Sequence, residues 1–402
     1  MRILVMWRRG TLTCRNTIVD HVFSFQRYDD ENEYFYFDIW NGRYANDYDW
    51  ITKEMFDVVI FHYSLLALRG VDRFWRDFQT LMRNVWRDFP CIKVLLPQDD
   101  YTLTERIWNF CQDVKIDFIF SIIREQDLSV VYPKSKVGNA IVKNVLTGYV
   151  DEQYLDLIDI LPHDKRKFDV VYRARKLSYD FGRYGQLKWE LSNIFRQKLK
   201  DTNFKVDIDN TEGNKRAFLG DEWIKFIASS RITIGCLGGA EMMDPYGSIK
   251  CKVQEYVEKH EYATYEETQQ VCFPVLDYQL QGMLSPRVFE SALVKTCQVL
   301  IGRDYHNILI PDIDYIVLNE DFSNINEVIE KMGDIAYCEK IAEVCYQDIV
   351  QSGQYTYRQF VQYILGEIDS RVQEKNMNKN LSEIIRNNCK RNNDNVLKEM
   401  QR

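Results

Sequence analysis

The feature that most constrains the fold is an alternation of short apolar runs with helical segments over the first 120 residues. The run at 3–7 is unbroken, as in strands that are buried on both faces of a parallel sheet. Residues 71–89 carry apolar side chains at helical spacing, and we expect Phe74 and Trp75 on the buried face. Further strands are predicted at 34–38, 58–61, 92–96 and 116–120. This order of elements predicts βαβ units and a parallel sheet.

A second series of strands and helices begins at residue 168. Strands are predicted at 168–172, 204–208, 232–235, 298–302 and 315–318, and a long helix at 186–200. A chain of 402 residues fits two domains of ordinary size. We therefore expect a first domain at 1–150, a charged linker at 151–167, a second domain at 168–350, and helices with a polar basic tail at 351–402.

Charge and cysteine usage limit the class of protein. The formal net charge of −8 argues against a general nucleic-acid binder, which would show a basic footprint. Ten cysteines without a C-x-x-C pair are typical of reduced thiols in a cytoplasmic protein. Residues 1–7 predict a first strand rather than a secretory leader, and no run of about 18 apolar residues predicts a membrane span.

The loops after the first-domain strands are the first candidate functional positions. In open α/β sheets ligands bind beyond the carboxyl ends of the strands, which selects residues 8–11, 62–64 and 98–101. His62 and Asp99 are therefore candidate general bases. The alternative for His62 is a hydrogen-bonded structural role, which is common for a lone histidine.

A candidate anion site follows the first strand of the second domain. The strand at 168–172 leads into Arg173 and Arg175, and Gly182 and Gly185 precede the long helix. A basic, glycine-containing loop before a helix N-terminus offers backbone N–H groups and a favourable dipole to an anion. The arginines could equally form interdomain salt bridges.

Two motifs in the second half carry a resemblance to a known family. Residues 286–291 read PRVFES, and residues 311–324 read PDIDYIVLNEDFSN. They resemble the donor half of GT-B glycosyltransferases of bacterial polysaccharide biosynthesis, of the CgeB-like and glycosyltransferase family 1-like kind. The segments DVVIFHYS at 57–64 and QDDY at 98–101 are similar to the acceptor half. The resemblance implies an α/β fold with two Rossmann-like domains facing a cleft, followed by C-terminal helices.

The resemblance also implies roles for individual residues. Glu290 would contact the ribose of a sugar nucleotide, although an ordinary surface glutamate is the alternative. Arg173, Arg175, Gly182, Gly185 and Arg287 would face the donor phosphates, and Asp244 would make a polar contact with the sugar or base. The chain departs from the family pattern at Ala174, Leu237, Glu241 and Gly282, and Gly282 stands where many retaining enzymes carry the first glutamate of a pair.

The reaction implied is glycosyl transfer, of a hexosyl or related group, from a UDP, GDP or CMP sugar to a hydroxyl of a glycan or lipid-linked glycan, such as lipopolysaccharide or capsule. No metal or other cofactor is expected, because the D-x-D patterns at 47–49, 207–209 and 312–314 are short and no H-x-x-E-H motif occurs. Two rival functions remain open. One is a catalytically silent sugar-nucleotide-binding or scaffold protein, which Leu237 and Gly282 suggest, and the other is a sugar-nucleotide epimerase.

The tail at 370–402 differs in composition from the rest. Eight Lys or Arg against four Asp or Glu give it a charge of +4, above a thin apolar stripe. Such a segment fits peripheral contact with the anionic inner face of a membrane. A solvated helix or a frayed end is the alternative, and it is the commoner case for a segment of this composition.

Overall fold

The computed structural model describes residues 1–9, 16–39, 56–209, 218, 220–276 and 278–374. The chain divides into two compact units. Unit 1 comprises Met1–Val145 and the chain from Phe360 onward, and unit 2 comprises Leu146–Gln359. Each unit is built on its own parallel sheet.

Unit 1 contains six parallel strands in the order β2-β1-β3-β4-β5-β6. The strands are β1 (Arg2–Trp7), β2 (Glu33–Asp38), β3 (Val58–His62), β4 (Ile92–Leu96), β5 (Phe118–Ser121) and β6 (Ile141–Asn144). Ile3 lies between Tyr34 and Val58 in the register of the three neighbouring strands. Every residue of β1, β3, β4 and β5 is buried, which is the reason these segments read as apolar runs. The predicted parallel sheet is confirmed.

The helices of unit 1 cover the edges and faces of this sheet. They are α1 (Asn16–Tyr28), α2 (Tyr63–Leu66), α3 (Asp72–Trp86), α4 (Thr104–Val114), α5 (Leu128–Val131) and α6 (Lys134–Val137). In α3 the buried apolar face is narrower than predicted, and Phe74 is 53% exposed. The face is set by Trp75, Phe78, Met82 and Trp86, which recur at helical spacing, whereas Phe74 precedes this row by one residue, or about 100° of helix rotation.

Unit 2 contains five parallel strands in the order β11-β10-β9-β7-β8. The strands are β7 (Phe168–Arg173), β8 (Val206–Asp209), β9 (Ser230–Gly235), β10 (Cys297–Ile301) and β11 (Ile316–Leu318). Its helices are α7 (Gly182–Leu199), α8 (Glu222–Ala228), α9 (Ser248–Lys259), α10 (Tyr265–Cys272), α11 (Arg287–Leu293), α12 (Ile325–Gly333) and α13 (Ile335–Tyr346). The last helix, α14 (Tyr357–Glu374), starts in unit 2 and continues into unit 1.

Two segments differ from their expected structure. Helix α7 starts at Gly182 rather than at residue 186, so that Gly182 and Gly185 belong to its first turn. The expected linker at 151–167 lies within unit 2, where Tyr154 and Ile158 are buried among core residues. Arg166 attaches the end of this segment to unit 2, because its guanidinium donates to two backbone carbonyl groups and a threonine hydroxyl there.

Several expected features fall outside the described residues. They are positions 10 and 11 of the first crevice loop, the D-x-D pattern at 47–49, and residues 375–402 of the basic tail. Among the helices that the structure describes, none combines the length and the apolar character that crossing a bilayer requires.

Candidate functional site

Four cationic side chains of unit 2 lie near one buried thiol. Cys236 follows β9 directly, and Lys188, Arg287, Arg183 and Arg303 lie close enough to lower the pKa of its thiol. Burial is the larger influence and raises that pKa, so that the thiol stays protonated. The cations come from α7, from the start of α11 and from the residues after β10, because parallel strands bring their carboxyl ends to one edge of the sheet.

Carboxylates hold two of these cations in place. Arg183 Nη1 lies 2.5 Å from Glu190 Oε1, and Arg183 Nε lies 3.6 Å from Glu320 Oε1. Arg303 pairs with the second oxygen of Glu320 and stacks 5.4 Å above the ring of Tyr184. Glu320 therefore links the start of α7 to the end of β10.

A third carboxylate occupies the N-terminus of α7. The backbone N–H of Arg183 donates to Glu241 Oε2 at 2.6 Å, and Glu241 is 7% exposed. Gly182 has φ +68°, and a Cβ atom at this position would lie 2.7 Å from Glu241 Cγ. Gly185 is equally confined, since its Cβ would lie 2.6 Å from Phe181 Cβ. Both glycines are needed to start α7 against these neighbours.

Arg173 and Arg287 are fixed by aromatic rings and by each other. Arg173 pairs with Asp207 at 2.9 Å and lies 4.3 Å from the ring centre of Phe226. Arg287 Nη2 donates to the carbonyl of Arg173 at 2.8 Å, and its guanidinium stacks 4.7 Å from Tyr172. Arg175, by contrast, is exposed. Of the predicted arginines, Arg287 is thus the one that joins the cations around Cys236.

Glu290 lies one turn after Arg287 on α11. Its Oε2 accepts a hydrogen bond from the indole N–H of Trp223 at 2.7 Å, and Trp223 also lies 5.2 Å from the Arg287 guanidinium. Trp223 therefore brings Arg287 and Glu290 together at the start of α11. Their role in donor binding stays a prediction.

Asp244 and Gly282 have structural explanations. Asp244 is 5% exposed, accepts the Lys250 N–H at 3.0 Å and the Ser248 hydroxyl at 3.3 Å, and so caps the start of α9. Those two contacts use both of its oxygens. A Cβ atom on Gly282 would lie 2.8 Å from Leu237 Cβ, so the two departures from the family pattern are packed against each other.

In unit 1, His62 is completely buried at the end of β3. Its Nδ1 accepts the Ser64 N–H at 3.2 Å, and its Nε2 lies 3.1 Å from His21 Nδ1. Burial, followed by the influence of His21, lowers its pKa well below 6.5 and keeps the ring neutral. Both ring nitrogens are engaged, which favours a structural role.

Asp99 lies on the loop after β4 and is exposed. Its backbone has φ 55°, and its Oδ1 accepts the Tyr101 hydroxyl at 2.7 Å. The next residue, Asp100, is fully buried, and its Oδ2 accepts hydroxyls from Ser121 at 2.5 Å and Tyr132 at 2.7 Å. Burial raises the pKa of Asp100, while these hydrogen bonds lower it. Asp99 is thus the exposed carboxylate of this loop, whereas Asp100 attaches the loop to buried hydroxyl groups of unit 1.

No sequence family and no curated protein matches the chain. Among solved structures it is similar to an α-glucosyltransferase in complex with UDP and a 13-mer DNA, with 12% identity, a TM-score of 0.56, and coverage of 92% of this chain and 99% of that one. Sucrose-phosphate synthase from Thermosynechococcus elongatus gives 8% identity over 93% and 99% of the two chains, with a TM-score of 0.50. T4 phage β-glucosyltransferase gives 11% identity over 92% and 100%, also with a TM-score of 0.50. The chain has the fold of the GT-B glycosyltransferases.

Sequence reasoning missed several residues of this cationic cluster and its partners. Arg303 follows the glycine that ends a predicted strand, so the rule of carboxyl ends could have found it. Arg183 and Lys188 lie within the first two turns of α7. The predicted helix started at residue 186, which left Arg183 in the preceding loop, and no motif distinguished Lys188 from other helical lysines. Glu320 and Trp223 carry no local signal, because only the tertiary fold brings them to the arginines and to Glu290.

The arrangement can bind an anion with several charges. Arg183, Lys188, Arg287 and Arg303 can donate to phosphate oxygens, and guanidinium groups are well suited to two parallel hydrogen bonds. Among the residues that the structure describes, no three His, Cys, Asp or Glu side chains converge as a metal site would require.

Proposed function

We propose that the chain is a glycosyltransferase that moves a sugar from a nucleotide-sugar donor to a hydroxyl of a bacterial surface glycan, with a lipid-linked glycan as the acceptor. The observation that carries this proposal is the group of cations at the carboxyl edge of the unit 2 sheet, where Arg183 and Arg303 share the carboxylate of Glu320 and lie near Cys236 together with Lys188 and Arg287. The GT-B fold supports it, as do the structures of two fold neighbours in complex with UDP.

The cations supply the chemistry that the reaction needs. Glycosyl transfer leaves a nucleoside diphosphate on which negative charge develops as the sugar departs. Fixed cations stabilise that charge without reorganisation, so the proposed mechanism requires no metal ion. Glu290 would accept hydrogen bonds from the ribose hydroxyls, and Arg287 on the same helical turn would contact the adjacent phosphate.

The acceptor is proposed on other grounds. One fold neighbour is described in complex with DNA, but the net charge of −8 disfavours a polyanionic acceptor for this chain. The motif resemblance supports a glycan, and the basic tail would bring the protein to the inner face of a membrane. Asp99, the exposed carboxylate of unit 1, is the proposed general base.

Nucleotide binding tests the donor site. A thermal-shift panel of UDP, GDP, CMP and ADP should show one nucleotide that stabilises the protein, by about 2.7 kcal/mol at a hundredfold excess over its Kd. Arg183→Gln should weaken the diphosphate by roughly tenfold or more and leave the nucleoside unaffected. Arg196→Gln, on the exposed side of the same helix, is the matched control. No shift with any nucleotide would refute the proposal.

A catalytically silent sugar-nucleotide-binding protein is the second candidate. The contact between Gly282 and Leu237 favours it, because no carboxylate fits at that position. Both functions predict nucleotide binding, so sugar transfer to an added glycan acceptor separates them. Asp99→Asn should then reduce turnover with donor affinity retained, and EDTA should leave turnover unchanged.

A further inference from the structure

We propose that Trp223 is a positioning residue that sets how the site recognises the ribose of the donor. This inference rests on the proposed function. Trp223 lies on α8, is partly buried against the core of unit 2, and contacts the two side chains of α11 that face the site. No sequence motif points to it.

The first contact fixes a carboxylate. The Trp223 indole N–H donates to Glu290 Oε2 at 2.7 Å, a distance typical of a hydrogen bond to a charged acceptor. Indole is a donor only, so this bond can form in one direction alone. It holds one oxygen of the Glu290 carboxylate beside the indole and so restricts the orientations in which that group can meet a ligand.

The second contact fixes a cation. The Arg287 guanidinium lies between two rings, 4.7 Å from the centre of Tyr172 and 5.2 Å from that of Trp223. Its Nη2 donates to the carbonyl of Arg173. Stacking confines the guanidinium plane, which leaves its edge to meet an anion.

One indole therefore sets two groups at a fixed separation. Glu290 follows Arg287 by three residues, so both project from the same face of α11. Ribose hydroxyls and the adjacent phosphate of a nucleotide also have a fixed separation. Because Trp223 contacts both the carboxylate and the guanidinium, it limits how far the two groups can move apart, while the cations at α7 and after β10 meet the remaining charge.

The geometry predicts a selective defect. Trp223→Phe keeps an aromatic ring beside Arg287 but removes the N–H that orients Glu290. We expect the affinity for a nucleoside diphosphate to fall about five- to tenfold. The affinity for its 2′,3′-dideoxy analogue, which has no ribose hydroxyls to present, should change little. The preference for the ribonucleotide should therefore shrink, which a general loss of packing would not cause.

Isothermal titration of the full chain with UDP, GDP or ADP, whichever binds most tightly, and with the dideoxy form of the same nucleotide, tests the proposal. Trp189→Phe on α7, an indole stacked under Lys176, is the matched control and should leave the preference unchanged. In a double-mutant cycle Trp223→Phe should add little to Glu290→Ala, because each variant removes the same hydrogen bond. Equal losses for the two nucleotides would overturn the positioning role while the donor site stands.

Two further outcomes are decisive. Wild-type protein that binds neither CMP nor any of the three diphosphates would refute the proposed function and this inference with it. Should Trp223→Phe fail to fold, Glu290→Asp withdraws the carboxylate from the indole by one methylene and keeps its charge. An unchanged preference for the ribonucleotide in that variant would overturn the proposal.

Discussion

Gly182→Ala should destabilise unit 2 by about 2.5–6 kcal/mol, through two separate costs. Gly182 has φ +68° and ψ −161°, backbone angles that glycine alone adopts readily, and they cost a residue with a Cβ about 1–3 kcal/mol. The new Cβ would also lie 2.7 Å from Glu241 Cγ. Glu241 can move away only by giving up the 2.6 Å bond from the Arg183 N–H, and a bond to a charged group contributes about 1.5–3 kcal/mol.

Urea unfolding followed by circular dichroism measures this loss. Gly366→Ala is the control, because Gly366 lies within α14 with no atom within 4 Å of an added Cβ. Alanine there should stabilise the helix by about 0.5–1 kcal/mol. The two alanine substitutions should therefore have opposite signs.

The double variant Gly182→Ala/Glu241→Ala separates the two costs. Once the Glu241 side chain is gone, only the backbone cost of about 1–3 kcal/mol should remain for Gly182→Ala. Fully additive effects would refute the claimed contact between Glu241 and the start of α7. A Gly182→Ala variant with an unchanged free energy of unfolding would refute the backbone geometry at the start of α7.

Three further variants test the assignment of buried polar groups. His62→Leu should lower the free energy of unfolding by about 1–3 kcal/mol, since it leaves hydrogen-bonding partners unpaired, and unaltered stability would contradict the structural role. Asp244→Ala should lower the free energy of unfolding by about 1 kcal/mol through the lost cap of α9. Weakened nucleotide binding with unchanged stability would instead indicate that Asp244 contacts the ligand. Burial raises the pKa of Asp314 to about 6, helped by the nearby Asp348, against about 3.9 when unfolded. The ionised group therefore costs stability above pH 6, and Asp314→Asn should stabilise by up to about 3 kcal/mol at pH 8 but not below pH 4; a gain independent of pH would contradict this.

The sheets were predictable because buried parallel strands have a local signature. Residues of β1 and β3 are buried without exception and read as apolar runs, which fixed their positions to within one or two residues. The start of α7 was not predictable, because two glycines in four residues normally indicate a loop. They belong to a helix here because Glu241 and Phe181 pack where a Cβ would stand.

The site was predictable only where one short motif carried it. Arg287 and Glu290 share a helical turn, so their joint placement follows from sequence alone. Asp244 lies close to the same loops in sequence, yet its carboxylate caps α9, a local contact that a motif comparison cannot distinguish from a ligand contact. Trp223 and Glu320 meet the site through residues 67 and 17 positions away, and such contacts leave no pattern in sequence.

The carboxylates around the cations determine where selectivity can arise in the proposed site. Arg183 is held by Glu190 and Glu320, and Arg303 by Glu320, before any ligand binds. Such pairing neutralises the charge of the half-buried guanidinium groups. The phosphate oxygens of a diphosphate must therefore take the place of carboxylate oxygens that already bind the arginines. The free energy gained from that exchange is a difference between similar ion pairs, and it is the same for every nucleoside diphosphate. Discrimination among ligands therefore falls to the neutral contacts of the ribose and base, and at the ribose it depends on the carboxylate of Glu290 being held in one orientation.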